Sequence, residues 1–270
     1  MTVKNIYFPF ENVHLSGVFH YPKPEQNSKK PAIVFAHGFV GSKVGEHRLF
    51  VKAARFFAER GYIVFRFDFR GCGESDGDYG DVTVSNQIKQ LEAAIKYVKA
   101  QKEVDGNDIT LIGHSLGGAV STLTASTNDD IQRLILWSPV ARPYKDITRI
   151  TGMAAVKTAN ETGNYDYLGF NISKEFFQDL KVHHPLEAIS SYEKPFFVLH
   201  AEVDEDVPKE NAFDYSMSYN KRSQQSKKNY TLIRESDHTF SGTNFENDLF
   251  EKTFQWLLVE SQLEYKRKAI

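Results

Sequence analysis

Short, strongly apolar runs alternate along this chain with longer segments in which apolar residues recur every three or four positions. The runs at 32–36, 62–67, 109–113, 134–137, 196–200 and 230–233 are rich in branched and aromatic residues and show no polar alternation. That pattern predicts strands buried on both faces, as in a parallel sheet. Between them, Ile88, Leu91, Ile95 and Val98 fall on one helical face, and Phe250, Phe254, Leu257 and Leu258 predict a buried face for the last helix. Near the start, Ile6 to Phe10 and Leu15 to Phe19 flank a polar turn at Glu11-Asn12-Val13, which predicts an antiparallel pair at a sheet edge. Alternating strands and helices place the chain in the α/β class.

One connection is too long for a simple crossover. From 139 to 194 the chain leaves the sheet before the strand at 196–200 returns to it. The segment carries Tyr144, Tyr165, Tyr167, Phe170, Phe176 and Phe177 and is punctuated by Gly152, Gly163 and Gly169. We read it as an inserted lid or cap (139–194) on a core formed by 1–138 and 195–270. The alternative is an extra layer that packs without touching a ligand.

Composition narrows the function. The 270 residues are 41% hydrophobic and 25% charged, enough for a sizeable core. A net charge of −2 argues against nucleic-acid or membrane-surface partners, which require a strong basic field. The first residues lack the apolar stretch of a signal peptide and no later run is long enough to span a bilayer, so the expectation is a cytoplasmic protein. The lone Cys72 forbids an internal disulfide, and its tight glycine-rich turn suits a structural role. His183-His184-Pro185 has no carboxylate or cysteine at ligand spacing, and Gly71 to Gly77 lacks a phosphate-loop lysine, so neither metal nor nucleotide cofactor is expected.

Chemistry is concentrated in Gly113-His114-Ser115-Leu116-Gly117, which follows an apolar strand and leads into a helix. A sharp strand-to-helix turn pushes its central side chain outward, and the helix amides behind it carry partial positive charge. Serine needs a base and an acid behind that base. His238 follows the last predicted strand, while Glu202, Asp204 and Asp206 follow the one before it; Asp237 is too close to its neighbour's ring. The order Ser, acid, His at successive strand ends is the one such a turn requires. The amides of Phe39, in the turn after the first buried strand, and of Leu116 are candidate oxyanion donors. His37 and His114 read as structural.

Together, His37-Gly38-Phe39, Asp68-Phe69-Arg70-Gly71-Cys72-Gly73-Glu74-Ser75, Gly113 to Gly118 and the late Asp and His make the chain resemble the α/β-hydrolase superfamily over nearly its whole length. Within it the chain resembles bacterial cinnamoyl and feruloyl esterases and related carboxylesterases. The resemblance implies a mostly parallel central sheet flanked by helices. The family's His-Gly-x-x-Asp-x-x-Val-Pro run falls on His200, Ala201, Asp204, Val207 and Pro208, which carries the acid role to Asp204. Ala201 departs from the family glycine.

The expected function is therefore hydrolysis of small esters through an acyl-enzyme on Ser115, with aromatic (cinnamoyl or feruloyl) or short acyl groups. A thioesterase or peptidase would use the same triad, and a non-catalytic binding module is the reading from another class. Edge strands and exposed aromatics are compatible with a homodimer.

Overall fold

The computed structural model describes residues 1–23, 29–221 and 228–268. β1 (Thr2–Phe10) and β2 (Val13–Tyr21) form the antiparallel edge pair. β3 (Lys30–Ala36), α1 (Leu49–Glu59), β4 (Ile63–Phe67), α2 (Val84–Lys99), β5 (Val104–His114), α3 (Leu116–Ala125) and β6 (Arg133–Trp137) follow in alternation. β5 runs further back than the apolar run suggests, because Val104 still pairs with Lys30 beyond a register shift between Lys30 and Ala32.

Between β6 and the next sheet strand lie α4 (Pro143–Thr151), α5 (Met153–Thr162), a hairpin of β7 (Asn164–Tyr167) and β8 (Phe170–Ser173), α6 (Lys174–Asp179) and α7 (Pro185–Ile189). β9 (Phe196–Ala201), α8 (Glu210–Tyr219), β10 (Tyr230–Ile233) and α9 (Thr243–Lys268) complete the order. The main sheet runs β1-β2-β4-β3-β5-β6-β9-β10, with β2 antiparallel to β4 and every pair from β4 to β10 parallel.

Both faces of this sheet are covered, and this is why its strands read as unbroken apolar runs. Ile33 and Phe35 of β3 join Phe50 and Phe57 of α1 and Phe250 and Leu257 of α9 in one core. Ala32, Val34 and Ala36 point the other way, toward Leu91 and Ile95 of α2, Val120 of α3 and Tyr215 of α8. Each large side chain so buried contributes about 1.5–3 kcal/mol. On α9 the apolar stripe is narrower than its spacing suggests: Phe254 is half-buried and Leu258 is exposed.

The segment between β6 and β9 does not float free of this core. Ala155, Val156, Ala159, Ile172, Phe176, Phe177 and Ile189 are buried within the same cluster as the sheet. Gly152 and Gly163, at φ +82° and +97°, end α4 and α5, and Gly169 (φ +87°) closes the hairpin turn.

Candidate active site

Only Ser115 separates the end of β5 from the start of α3, so one residue must reverse the chain. It does so at φ +56°, ψ −124°, a region costly for a residue with a Cβ. Three bonds hold it there: its N–H donates to the Trp137 carbonyl (3.0 Å), and its carbonyl accepts from Gly118 (2.9 Å) and Val140 (3.0 Å). The flanking glycines are required by proximity. A Cβ on Gly113 would overlap the Gly117 carbonyl and Ser121 Oγ, and one on Gly117 would overlap the carbonyl oxygens of Ala36 and His37. The Ser115 side chain does not project into open solvent, as the sharp turn alone suggests. It is 5% exposed and forms part of a cleft floor.

His238 reaches Ser115 from the loop after β10. Its Nε2 lies 2.9 Å from Ser115 Oγ and its Nδ1 lies 2.7 Å from Asp204 Oδ2. With a carboxylate on Nδ1, that nitrogen carries the hydrogen and Nε2 is left to accept from the serine hydroxyl. Asp204 is fixed in turn by the amides of Val207 (2.8 Å) and Asp206 (3.1 Å), both on Oδ1. Burial pushes its carboxyl up, but hydrogen bonds from His200 and His238 outweigh this and hold it below the usual carboxylate range. The Val203 N–H donates to the Ser236 carbonyl (3.0 Å), which joins the acid loop to the histidine loop.

The rival acids are occupied elsewhere. Glu202 accepts from the Glu235 amide (3.1 Å), Asp237 accepts from the Ser241 amide (2.7 Å), and Asp206 is exposed at the cleft edge. His114 packs its ring 4.9 Å from that of His238 and meets the His238 carbonyl through Nε2 (3.0 Å). Burial, then the neighbouring His238, lowers its pKa to about 3, so it stays neutral.

The turn after β3 runs directly beside the serine, where an added Cβ on Gly38 would come within 2.8 Å of Ser115 Cβ. Among the described residues, neither the Phe39 amide nor the Leu116 amide donates to a protein acceptor. His37 is a strut: its Nε2 accepts from the Phe69 amide (3.1 Å) and its Nδ1 donates to the Gly38 carbonyl (3.0 Å). Around Ser115 and His238 lies a cleft of about 270 Å³ whose lining includes Phe39, Ile150, Tyr167, Glu46 and Asp206. Of the aromatic residues between β6 and β9, Tyr167 alone is in that lining. Its ring lies 5.5 Å from that of Phe39, which also meets Phe176 at 5.7 Å.

A sequence profile of the hydrolase family described as serine aminopeptidase, S33, matches residues 27–210, more than half of the chain. The chain belongs to this family. It is 31% identical over 182 residues to an uncharacterized 31.7 kDa protein of Escherichia coli, covering 60% of this chain and 62% of that one. It is also 31% identical over 154 residues to the quorum-quenching protein AidA of Acinetobacter baumannii, covering 57% and 49%. The matches thus span about half to three-fifths of those relatives' lengths. Among solved structures, Est1E of Butyrivibrio proteoclasticus with ferulic acid bound superimposes with a TM-score of 0.81 at 25% identity, covering 95% of this chain and 99% of that one. The Pyrococcus furiosus esterase Pf2001 gives 0.71 at 23%, covering 95% and 90%, which shows the shared α/β-hydrolase fold.

Several residues of this family member escape a reading of its sequence. Asp68, wholly buried, accepts from the Lys43 amide (2.5 Å), the Lys43 ammonium (2.5 Å) and the Glu74 amide (2.9 Å), and Arg66 donates to the Lys43 carbonyl (2.9 Å). These bonds anchor the far end of the turn that carries Phe39. Tyr79 Oη accepts from the Val40 amide (3.0 Å) and steadies the middle of the turn, where Val40 sits at φ +46°. Asp68 and Glu74 lie in the Asp68 to Ser75 stretch that carries the family resemblance, whereas Lys43, Arg66 and Tyr79 leave no local signal in the sequence. Cys72 is 2% exposed, and burial pushes its thiol up to about 12, as a packing residue requires. Among the described residues no group of His, Cys, Asp and Glu is arranged to hold a metal ion, and no helix is long and apolar enough to cross a membrane.

Proposed function

We propose that the chain is a serine ester hydrolase working through an acyl-enzyme. The observation that carries this reading is His238, which bridges Ser115 Oγ and the buried Asp204 carboxylate. Ser115 Oγ attacks the ester carbonyl as its proton passes to His238 Nε2, and Asp204 stabilises the imidazolium. The unpaired amides of Phe39 and Leu116 stabilise the oxyanion. When the carbonyl re-forms, the alcohol leaves with the proton from His238. Water then repeats the sequence, giving the carboxylic acid and free serine.

Substrates on this reading are small esters with an aromatic or short acyl group lying against Phe39, Ile150 and Tyr167, and residues 139–194 act as a cap on that side. The ferulic acid bound to Est1E favours the aromatic choice. The family description favours a second reading, cleavage of aminoacyl amides by the same groups. Turnover of p-nitrophenyl acetate, ethyl ferulate and leucine p-nitroanilide decides between them, with Ser115→Ala as the blank. Ester turnover that falls by about 10³-fold or more in both Ser115→Ala and His238→Ala is expected. Turnover of the anilide alone would replace the ester reading with the amide one.

A further inference from the structure

We infer that His200 is a positioning residue for Asp204 and, through it, for His238; the inference rests on the triad reading above. His200 is completely buried at the end of β9. Its Nε2 lies 3.2 Å from Asp204 Oδ2 and 3.3 Å from the Val207 carbonyl. Both neighbours are acceptors, so Nε2 carries the hydrogen, and Nδ1, buried without a partner, is left as a bare acceptor. Asp204 Oδ2 therefore receives two imidazole N–H groups, His238 at 2.7 Å and His200 at 3.2 Å, while Oδ1 takes the two amides of its own loop.

The two sets of donors differ in what they are attached to. The Asp206 and Val207 amides move with the acid's loop, whereas His200 sits in a strand paired on both sides, to β6 and to β10. His200 thus ties the carboxylate to the same sheet that carries Ser115. It also draws charge from the oxygen that His238 uses, which weakens the hold of Asp204 on the imidazolium. Without His200 the carboxylate is freer to rotate and more basic. The first change lowers turnover, and the second moves the acid limb of the rate profile to higher pH. The other titratable ring beside His238 is His114, which burial keeps neutral throughout that range. Leu232, the β10 neighbour of His200, is uncharged, and the carboxylates of Glu205, Asp206, Glu235 and Asp237 that border the hollow beside His238 are common to the parent and the variants.

The test compares the parent with His200→Phe, which fills the space without a donor, and His200→Gln, which keeps a side-chain N–H. The readouts are kcat and KM on p-nitrophenyl acetate and the rate of fluorophosphonate labelling of Ser115, both from pH 5 to 8, with the thermal midpoint as the folding control. Expected for His200→Phe is a kcat lower by about tenfold, KM within about twofold, and an acid limb raised by about half a pH unit, with most of each effect restored in His200→Gln. Should His200→Phe not fold, His200→Ser, too short to reach Asp204, takes its place with the same expectation. An unmoved acid limb, or His200→Gln as impaired as the donor-free variant, overturns the inference while leaving the hydrolase reading intact. A folded parent inert to both probes removes the hydrolase reading, and the role of His200 with it.

Discussion

Ser115, Asp204 and His238 come from three loops at the carboxyl ends of β5, β9 and β10, and what distinguishes them from similar residues nearby is burial with a partner. Asp206 is as close to the histidine in sequence as Asp204, yet it is exposed at the cleft edge. Asp204→Asn should therefore lower kcat by about 10⁴-fold through the wrong imidazole tautomer, while Asp206→Asn leaves turnover of a neutral ester within about threefold. Equal losses in the two variants would show that the acid has been misassigned. Burial and the neighbouring Arg66 lower the pKa of His20 to about 4, and burial and His238 lower that of His114 to about 3. The unfolded chain takes up these protons near pH 6.5, before the folded one does, so stability present at pH 7 is lost as pH falls from about 6.5 toward 4. Thermal midpoints across that range should fall with acid in the parent and fall less in His114→Gln. A parallel decline in both would rule out His114 as a contributor.

At the scale of elements, periodicity located every strand of the parallel sheet and most of the buried face of α2, because these elements bury their apolar residues against a neighbour; on α9 it overran the buried stripe at Leu258. It could not divide the aromatic residues between β6 and β9, since a tyrosine in a core and one at a ligand look the same in sequence. Phe176 and Phe177 pack into the main core, whereas Tyr167, at the end of β7, faces the cleft and touches the ring of Phe39. If the proposed aromatic acyl group lies against this wall, Tyr167→Ala should raise KM for ethyl ferulate by about tenfold or more and leave p-nitrophenyl acetate, whose acetyl group is too short to reach it, nearly unchanged. Leu168→Ser, at the 83% exposed hairpin tip, should change neither. Steady-state kinetics on the two esters check this, and a uniform effect of Tyr167→Ala would mean that the hairpin acts on the fold instead.

The whole molecule adds a charge pattern to the cleft. Glu46 and Asp206 line it, and Glu205, Glu235 and Asp237 border the adjoining hollow beside His238; among the described residues neither lining includes a Lys or Arg. A field of this sign favours cationic over anionic substrates and fades with salt. Of two acetate esters matched in size, one with a quaternary ammonium on the alcohol should show a kcat/KM several-fold, about 3 to 10 times, above one with a sulfonate, and the ratio should shrink in 0.5 M salt. A ratio near one at low salt would sink this idea. The sequence by itself determined the fold class and placed Ser115, acidic residues and His238 in that order at successive strand ends, because these depend on local periodicity and on which residue types follow which strand. The family resemblance pointed to Asp204 among its neighbours; tertiary structure alone decided that His200 shares the Asp204 oxygen that His238 uses, that Lys43, Asp68 and Tyr79 brace the Phe39 turn, and that Tyr167 lines the cleft. Each of those contacts joins residues from different elements or depends on how a loop folds back on a strand. Distance across a sheet is set by packing, which no single stretch of sequence contains.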